Sequence, residues 1–111
     1  MKTLACLLLM AALACGGSES PFAIDLSVGT IRIENHSSVA LVEVNISHCE
    51  VPGWGANRIA DHVIGSGQSR EFELAPNCYD VRAVTTTGEE VIFADLALVG
   101  GKGLTLRIID G

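Results

Sequence analysis

Residues 39–47 read VALVEVNIS, and the spacing of their side chains decides the fold class. Ala40, Val42, Val44 and Ile46 occupy every second position, with Glu43 and Asn45 between them. A repeat of two is that of an extended strand with one face on a core, whereas a helix would repeat its apolar residues every three or four. The β-branched Val and Ile also suit a pleated, half-buried surface. The stretch therefore reads as a half-buried β-strand.

The same period continues in both directions. Upstream, TIRIEN (30–35) turns Ile31 and Ile33 one way and Thr30, Arg32 and Glu34 the other. The intervening Asn35-His36-Ser37-Ser38 is turn chemistry, which predicts a hairpin between these two strands. Downstream, SREFELAP (69–76) offers Phe72 and Leu74 inward and leaves Arg70, Glu71 and Glu73 outside. After a turn at Pro76-Asn77, CYDVRAVT (78–85) groups Tyr79, Val81 and Ala83, with Asp80 and Arg82 opposite and facing cross-strand neighbours such as Glu43. VIFADLALV (91–99), apolar on both faces, has the signature of a central strand. LTLRII (104–109) closes the chain with Leu104, Leu106 and Ile108 inward. Helix is limited to one turn within ANRIADH (56–62). The reading is all-β: a single antiparallel β-sandwich over residues 26–111, the size of an immunoglobulin-like or transthyretin-like domain.

The chain has 111 residues, enough for one domain, and carries a formal net charge of −6. All 13 acidic residues follow Cys15, and Lys2 is the sole base before it. No basic stripe is present, which excludes a nucleic-acid backbone as partner. Hydrophobic residues make up 49% of the chain, and much of that surplus sits in residues 4–15. A positive start, an apolar run from Leu4 to Leu13 and small residues before a cysteine make residues 1–14 a cleaved signal peptide. The run is shorter than the roughly 20 apolar residues a membrane-spanning helix needs.

The end of that run, Ala12-Leu13-Ala14-Cys15, resembles the lipobox of bacterial lipoproteins, apart from Ala12, where Leu is commoner. The resemblance implies cleavage before Cys15, lipidation of its sulfur and acylation of the new N-terminus. Gly16 rather than Asp at the next position resembles the sorting pattern for the outer membrane. Residues 15–25 would then be the lipidated cysteine and a flexible tether, and the membrane would be a partner through the lipid anchor. Several acyl chains are needed because each buried CH₂ contributes only about 0.8 kcal/mol.

Cys6 leaves with the signal, so Cys49 and Cys78 remain as a pair. In an exported chain a disulfide is the expected state. The alternative is a zinc set of His48, Cys49, His62 and Cys78, which lacks the close ligand pairs of structural zinc modules.

The least regular stretch is CEVPGWGANRIADHVIGSGQS (49–69), which holds the only Trp. Asn35-His36-Ser37, Ile46-Ser47-His48-Cys49, Trp54-Gly55-Ala56-Asn57-Arg58, Gly67-Gln68-Ser69 and Pro76-Asn77-Cys78-Tyr79-Asp80-Val81-Arg82 together resemble a pattern in small exported bacterial domains of unassigned activity. Ser66 and Asn77 depart from it, at positions where Pro and Gly are usual. The resemblance implies a β-sandwich in a secreted or lipoprotein context, without established catalysis.

Within the loop two readings compete. In the first, Trp54 caps the end of the sheet, Gly53 and Gly55 turn the backbone beside it, Asn57 bonds loop backbone, and Arg58 pairs with Asp61 on the surface. In the second, Trp54 is the platform of a shallow glycan or peptide site with Asn57, Arg58 and Asp61 as its polar rim. The three histidines, His36, His48 and His62, accompany no nucleophile motif, metal motif or phosphate loop, so no catalytic residue, cofactor or metal is expected. The functional expectation is a non-enzymatic interaction or envelope-structural module in the cell envelope. An envelope protein or a glycan is its expected partner, and small-ligand binding at the Trp54 loop is the alternative.

Overall fold

The structure, a computed structural model, describes residues 27–110; the expected signal peptide, Cys15 and the tether lie outside the described residues. Six strands form: β1 (Gly29–His36), β2 (Leu41–His48), β3 (Ser69–Leu74), β4 (Asn77–Thr85), β5 (Glu90–Leu98) and β6 (Gly103–Ile109). They build two three-stranded sheets, ordered β3-β1-β6 and β2-β4-β5. No helix occurs among the described residues, and the ANRIADH stretch makes turns only.

The alternation seen in the sequence is what makes the core. Ile31 and Ile33 of β1, Val44 and Ile46 of β2, Tyr79, Val81 and Ala83 of β4, and Leu106 and Ile108 of β6 are all buried between the sheets. Each such Val or Ile contributes about 1.5–3 kcal/mol by leaving water. The Tyr79 hydroxyl, on an otherwise buried side chain, donates to the Ala75 carbonyl at 2.6 Å and so pins the β3–β4 turn to the core, as in a tyrosine corner.

Three expectations need correcting. β1 and β2 are not a hairpin: β1 pairs with β3 and β6, and β2 pairs with β4. The turn residues between them instead carry the chain from one sheet to the other. The Asn35 amide drives this crossing, donating to the carbonyls of Val39 (2.8 Å) and Ile64 (3.0 Å) and accepting from the Ser37 N–H and hydroxyl. β5 is an edge strand and not a central one; its outward Ile92 is 52% exposed. And β1 and β6 run parallel, the one departure from antiparallel pairing.

A smaller difference lies in β2. Its register shifts between Leu41 and Glu43, so Leu41 is fully buried while Val42 is only half-buried. One extra residue in a bulge flips the alternation upstream of it.

β1 also starts in a tight place. A Cβ on Gly29 would lie 2.5 Å from Leu98 Cγ and 2.9 Å from the Val99 carbonyl oxygen, so only glycine lets β1 pass beneath the end of β5.

Candidate functional site

The loop between β2 and β3 begins at the disulfide. Cys49 and Cys78 are bonded, with Cα atoms 5.4 Å apart, at the position where β2 ends beside the start of β4. A 29-residue separation corresponds to about 3–4 kcal/mol on the chain-entropy model. The Asp95 carboxylate lies within 4.8 Å of both sulfurs. With both sulfurs in the bond, the zinc set considered above has no thiolates.

Beyond the disulfide the chain turns back along the free edge of β2. Asn57 does most of the fastening. Its Oδ1 accepts from the N–H groups of Val44 (3.0 Å) and Ile59 (3.1 Å), and its Nδ2 donates to the Val42 carbonyl at 3.1 Å. The side-chain amide thus reproduces the donor and acceptor of a neighbouring strand. The Arg58 N–H donates to the Val44 carbonyl at 2.7 Å, and Leu41 and Ile64 exchange both backbone bonds. Ile59 and Ile64 are buried beneath the segment. The loop therefore covers an edge that would otherwise present unpaired backbone groups.

A second fastening runs over the outer face of the same sheet. Asn45, only 1% exposed, donates from Nδ2 to the carbonyls of Gly55 (3.3 Å) and Ala56 (3.2 Å) and accepts from Arg82 at 3.0 Å. Arg82 continues to Glu90 (2.6 Å) and Glu43 (3.5 Å), as expected of its strand face. Asp80 accepts from the Asp95 N–H at 2.9 Å, where β5 bends at an Asp95 φ of 58°. The Trp-Gly-Ala-Asn-Arg and Tyr-Asp-Val-Arg stretches thus meet through Asn45.

Of the four candidate ligand-binding residues, Asn57 is consumed by backbone, as the first reading had it. Arg58 directs Nη2 toward the Ile46 carbonyl at 3.4 Å. Asp61 does not pair with Arg58; it pairs with Arg70 of β3 at 3.2 Å. That hydrogen bond holds the Asp61 carboxyl below its ordinary value. Trp54 is half-buried and outside the core cluster, between Gly53 and Gly55 at φ 86° and 76°, conformations that side chains with a Cβ resist. Two open depressions, of about 320 Å³ beside the disulfide and about 410 Å³ beside His62–Ile64 and Gly67–Arg70, lie elsewhere, and Trp54 lines neither.

Asn35 and Asn45 also fasten this loop, at Ile64 and at Gly55-Ala56, whereas the sequence pattern makes Asn35 a turn and motif residue and Asn45 an outward strand residue. A signal was there: Asn is depleted in strands, so an Asn within a strand implies a side chain holding other backbone.

A separate charged group lies on the outer face of β1. The Glu34 carboxylate meets Arg32 (2.8 Å), His36 (3.0 Å) and Arg107 (3.6 Å), and Arg32 also reaches Glu71 (3.1 Å). The hydrogen bond from Arg32, then that with His36, brings Glu34 down to about 2.

No family model matches the chain, and no curated protein matches it. Among solved structures it is similar to the NMR structure of a protein from Eubacterium rectale, with a TM-score of 0.52 over 82% of this chain and 84% of that one, at 19% identity. At that identity the likeness speaks to the shared β fold.

Proposed function

We propose that this is a lipid-anchored protein of the bacterial cell envelope: a non-enzymatic interaction or envelope-structural module tethered through Cys15.

 The observation that carries this reading is how the polar side chains of the Trp54 loop are used. Within the loop Asn57 is bonded to backbone and Asp61 is paired with Arg70, while Asn45 of β2 and Arg82 of β4, in the sheet beneath, are committed to loop backbone and to Glu90. A loop built this way presents a fixed surface. Among the described residues no buried side-chain polar atom lacks a partner. The apolar run ending at Ala14-Cys15 supports the anchor. Confinement to a membrane raises the effective concentration of a module near its partner, so weak contacts suffice.

The test is cell fractionation of the wild type and Cys15→Ser, with mass spectrometry of the mature N-terminal peptide. The expected result is an acylated Cys15 terminus on a membrane-bound protein, with the variant released from the membrane. A variant that stays in the membrane fraction, or a wild-type terminus without acyl chains, overturns the anchor.

A second reading, a shallow glycan or peptide site, rests on one observation: Trp54 stands half-buried outside the core, on a loop whose backbone is firmly held. Such an aromatic is a stacking platform of the kind sugars use. Titration with envelope glycans and peptides, followed by Trp54 fluorescence, decides it. A saturable shift favours the ligand site, and an unchanged spectrum removes it.

A further inference from the structure

The two sheets have four edge strands, and three of them are guarded. The edge of β2 is covered by the loop carrying Asn57. β5 is bent at Asp95, a bulge that spoils the edge for pairing. β3 is the shortest strand and carries three charged residues, Arg70, Glu71 and Glu73. Among the described residues β6 has no loop over it and no bend, and Arg107 is its one charged side chain. It holds a regular, unshifted register with β1 from Gly103 to Ile109, and its other side has no strand neighbour among the described residues.

The direction of its free backbone groups follows from one bond. The Thr30 N–H donates to the Lys102 carbonyl at 3.0 Å. In a parallel ladder of this register, Leu104, Leu106 and Ile108 turn their backbone groups toward β1. Gly103, Thr105, Arg107 and Ile109 turn theirs outward.

We propose that β6 is a self-association edge, where two copies of the chain pair β6 antiparallel about a two-fold axis at Leu106. This register gives every residue of the seven-residue strand a partner. It sets Gly103 opposite the second copy's Ile109 and Thr105 opposite its Arg107. It is also self-complementary in three ways. Ile109, at 64% the most exposed large hydrophobic side chain among the described residues, lies against a glycine that leaves room for it. Lys102, which has no ion pair among the described residues, falls opposite Asp110 of the second copy. Asp110 is held at the end of the strand by the Ser38 N–H at 3.0 Å. Finally, Leu104 meets Ile108 on the inner face, so the two cores become continuous.

Neighbouring registers lose these matches. Moving the axis to Arg107 sets that arginine against its own copy, and moving it to Thr105 removes Lys102 from Asp110. A closed two-fold contact is the commonest symmetry of self-association. One strand pair is a small interface, which belongs with micromolar rather than permanent dimers. The inference rests on the topology of the domain and does not require the lipid anchor.

The experiment is sedimentation velocity of the full-length protein, as the cell produces it, in a density-matched detergent. The wild type is expected to show a concentration-dependent dimer. Thr105→Pro removes an outward N–H while sparing the ladder to β1, and should yield a monomer with an unchanged melt. Lys102→Glu should weaken the dimer about tenfold, because two symmetric contacts turn from attraction to repulsion, and adding Asp110→Lys should restore it. A wild type that remains monomeric at about 100 µM overturns the proposal, as does a folded Thr105→Pro that dimerises normally. Should Thr105→Pro fail to fold, the charge pair decides. Restoration by the double variant supports the register, and no loss on Lys102→Glu overturns it.

Discussion

Glu34 shows how much one side chain can be asked to organise. Its carboxylate is 21% exposed and draws Arg32, His36 and Arg107 to the outer face of β1. Because the hydrogen bond from Arg32, and then that with His36, favours the charged form, the folded protein holds Glu34 at about 2, against an ordinary 4.5. A carboxyl depressed in this way contributes stability that is fully present above its unfolded value and is lost as pH falls through its folded value. The expected outcome is that wild type melts higher than Glu34→Gln at neutral pH. The gap should close between pH 4.5 and about 2. Melting curves of the two proteins across that range check it; a gap that persists at the acid end would mean that the cluster stabilises by packing and not by charge.

At the scale of elements, the loop from Cys49 to Gln68 behaves as a substitute strand, and Asn57 is its principal fastener. Asn57→Ala would leave the Val44 N–H and the Val42 carbonyl without their side-chain partner. The expected loss is about 2–3 kcal/mol, since several part-buried bonds go together. Denaturant unfolding measures it, and a red shift of Trp54 emission in the folded variant would report the loop lifting. Asn57→Asp should recover part of the loss, because its carboxylate still accepts from Val44 and Ile59 but cannot donate to Val42.

The strands themselves were legible, because a period of two is a local property: Ile31 and Ile33, Tyr79, Val81 and Ala83, and Leu106 and Ile108 all face the core as their spacing requires. Sheet membership was not legible. Asn35-His36-Ser37-Ser38 has the composition of a hairpin turn, yet Asn35 spends its amide on Val39 and Ile64, and Ile64 lies in a distant loop. β5 misled for a related reason. Apolar residues on both faces identify a strand buried on both sides only when both sides are covered, and here Ile92 faces outward. In the loop, the backbone role of Asn57 followed from its residue type, whereas the Asp61 partner did not. Arg70 reaches it only because β3 folds back beside the loop.

At the scale of the whole molecule, one small core is shared by two sheets, and the first of these is assembled from remote pieces. β1 sits between β3 and β6, so its backbone groups are satisfied only by strands much later in the chain. Deletion of residues 103–111 would expose one side of β1 and remove Leu106 and Ile108 from the core. The expected outcome is a chain without a cooperative thermal transition, checked by calorimetry against the full-length protein; a truncated chain that melts cooperatively would mean that β3 alone suffices to hold β1. The parallel contact of β1 with β6 also sets an order of events during synthesis. Thr30 waits for Gly103, so the growing chain cannot complete this sheet until β6 has been made. Contacts this remote in sequence are slow to form. Until then Ile31 and Ile33 of β1 lack half of their cover, so the partly made chain stays open and depends on its surroundings to shield that apolar face.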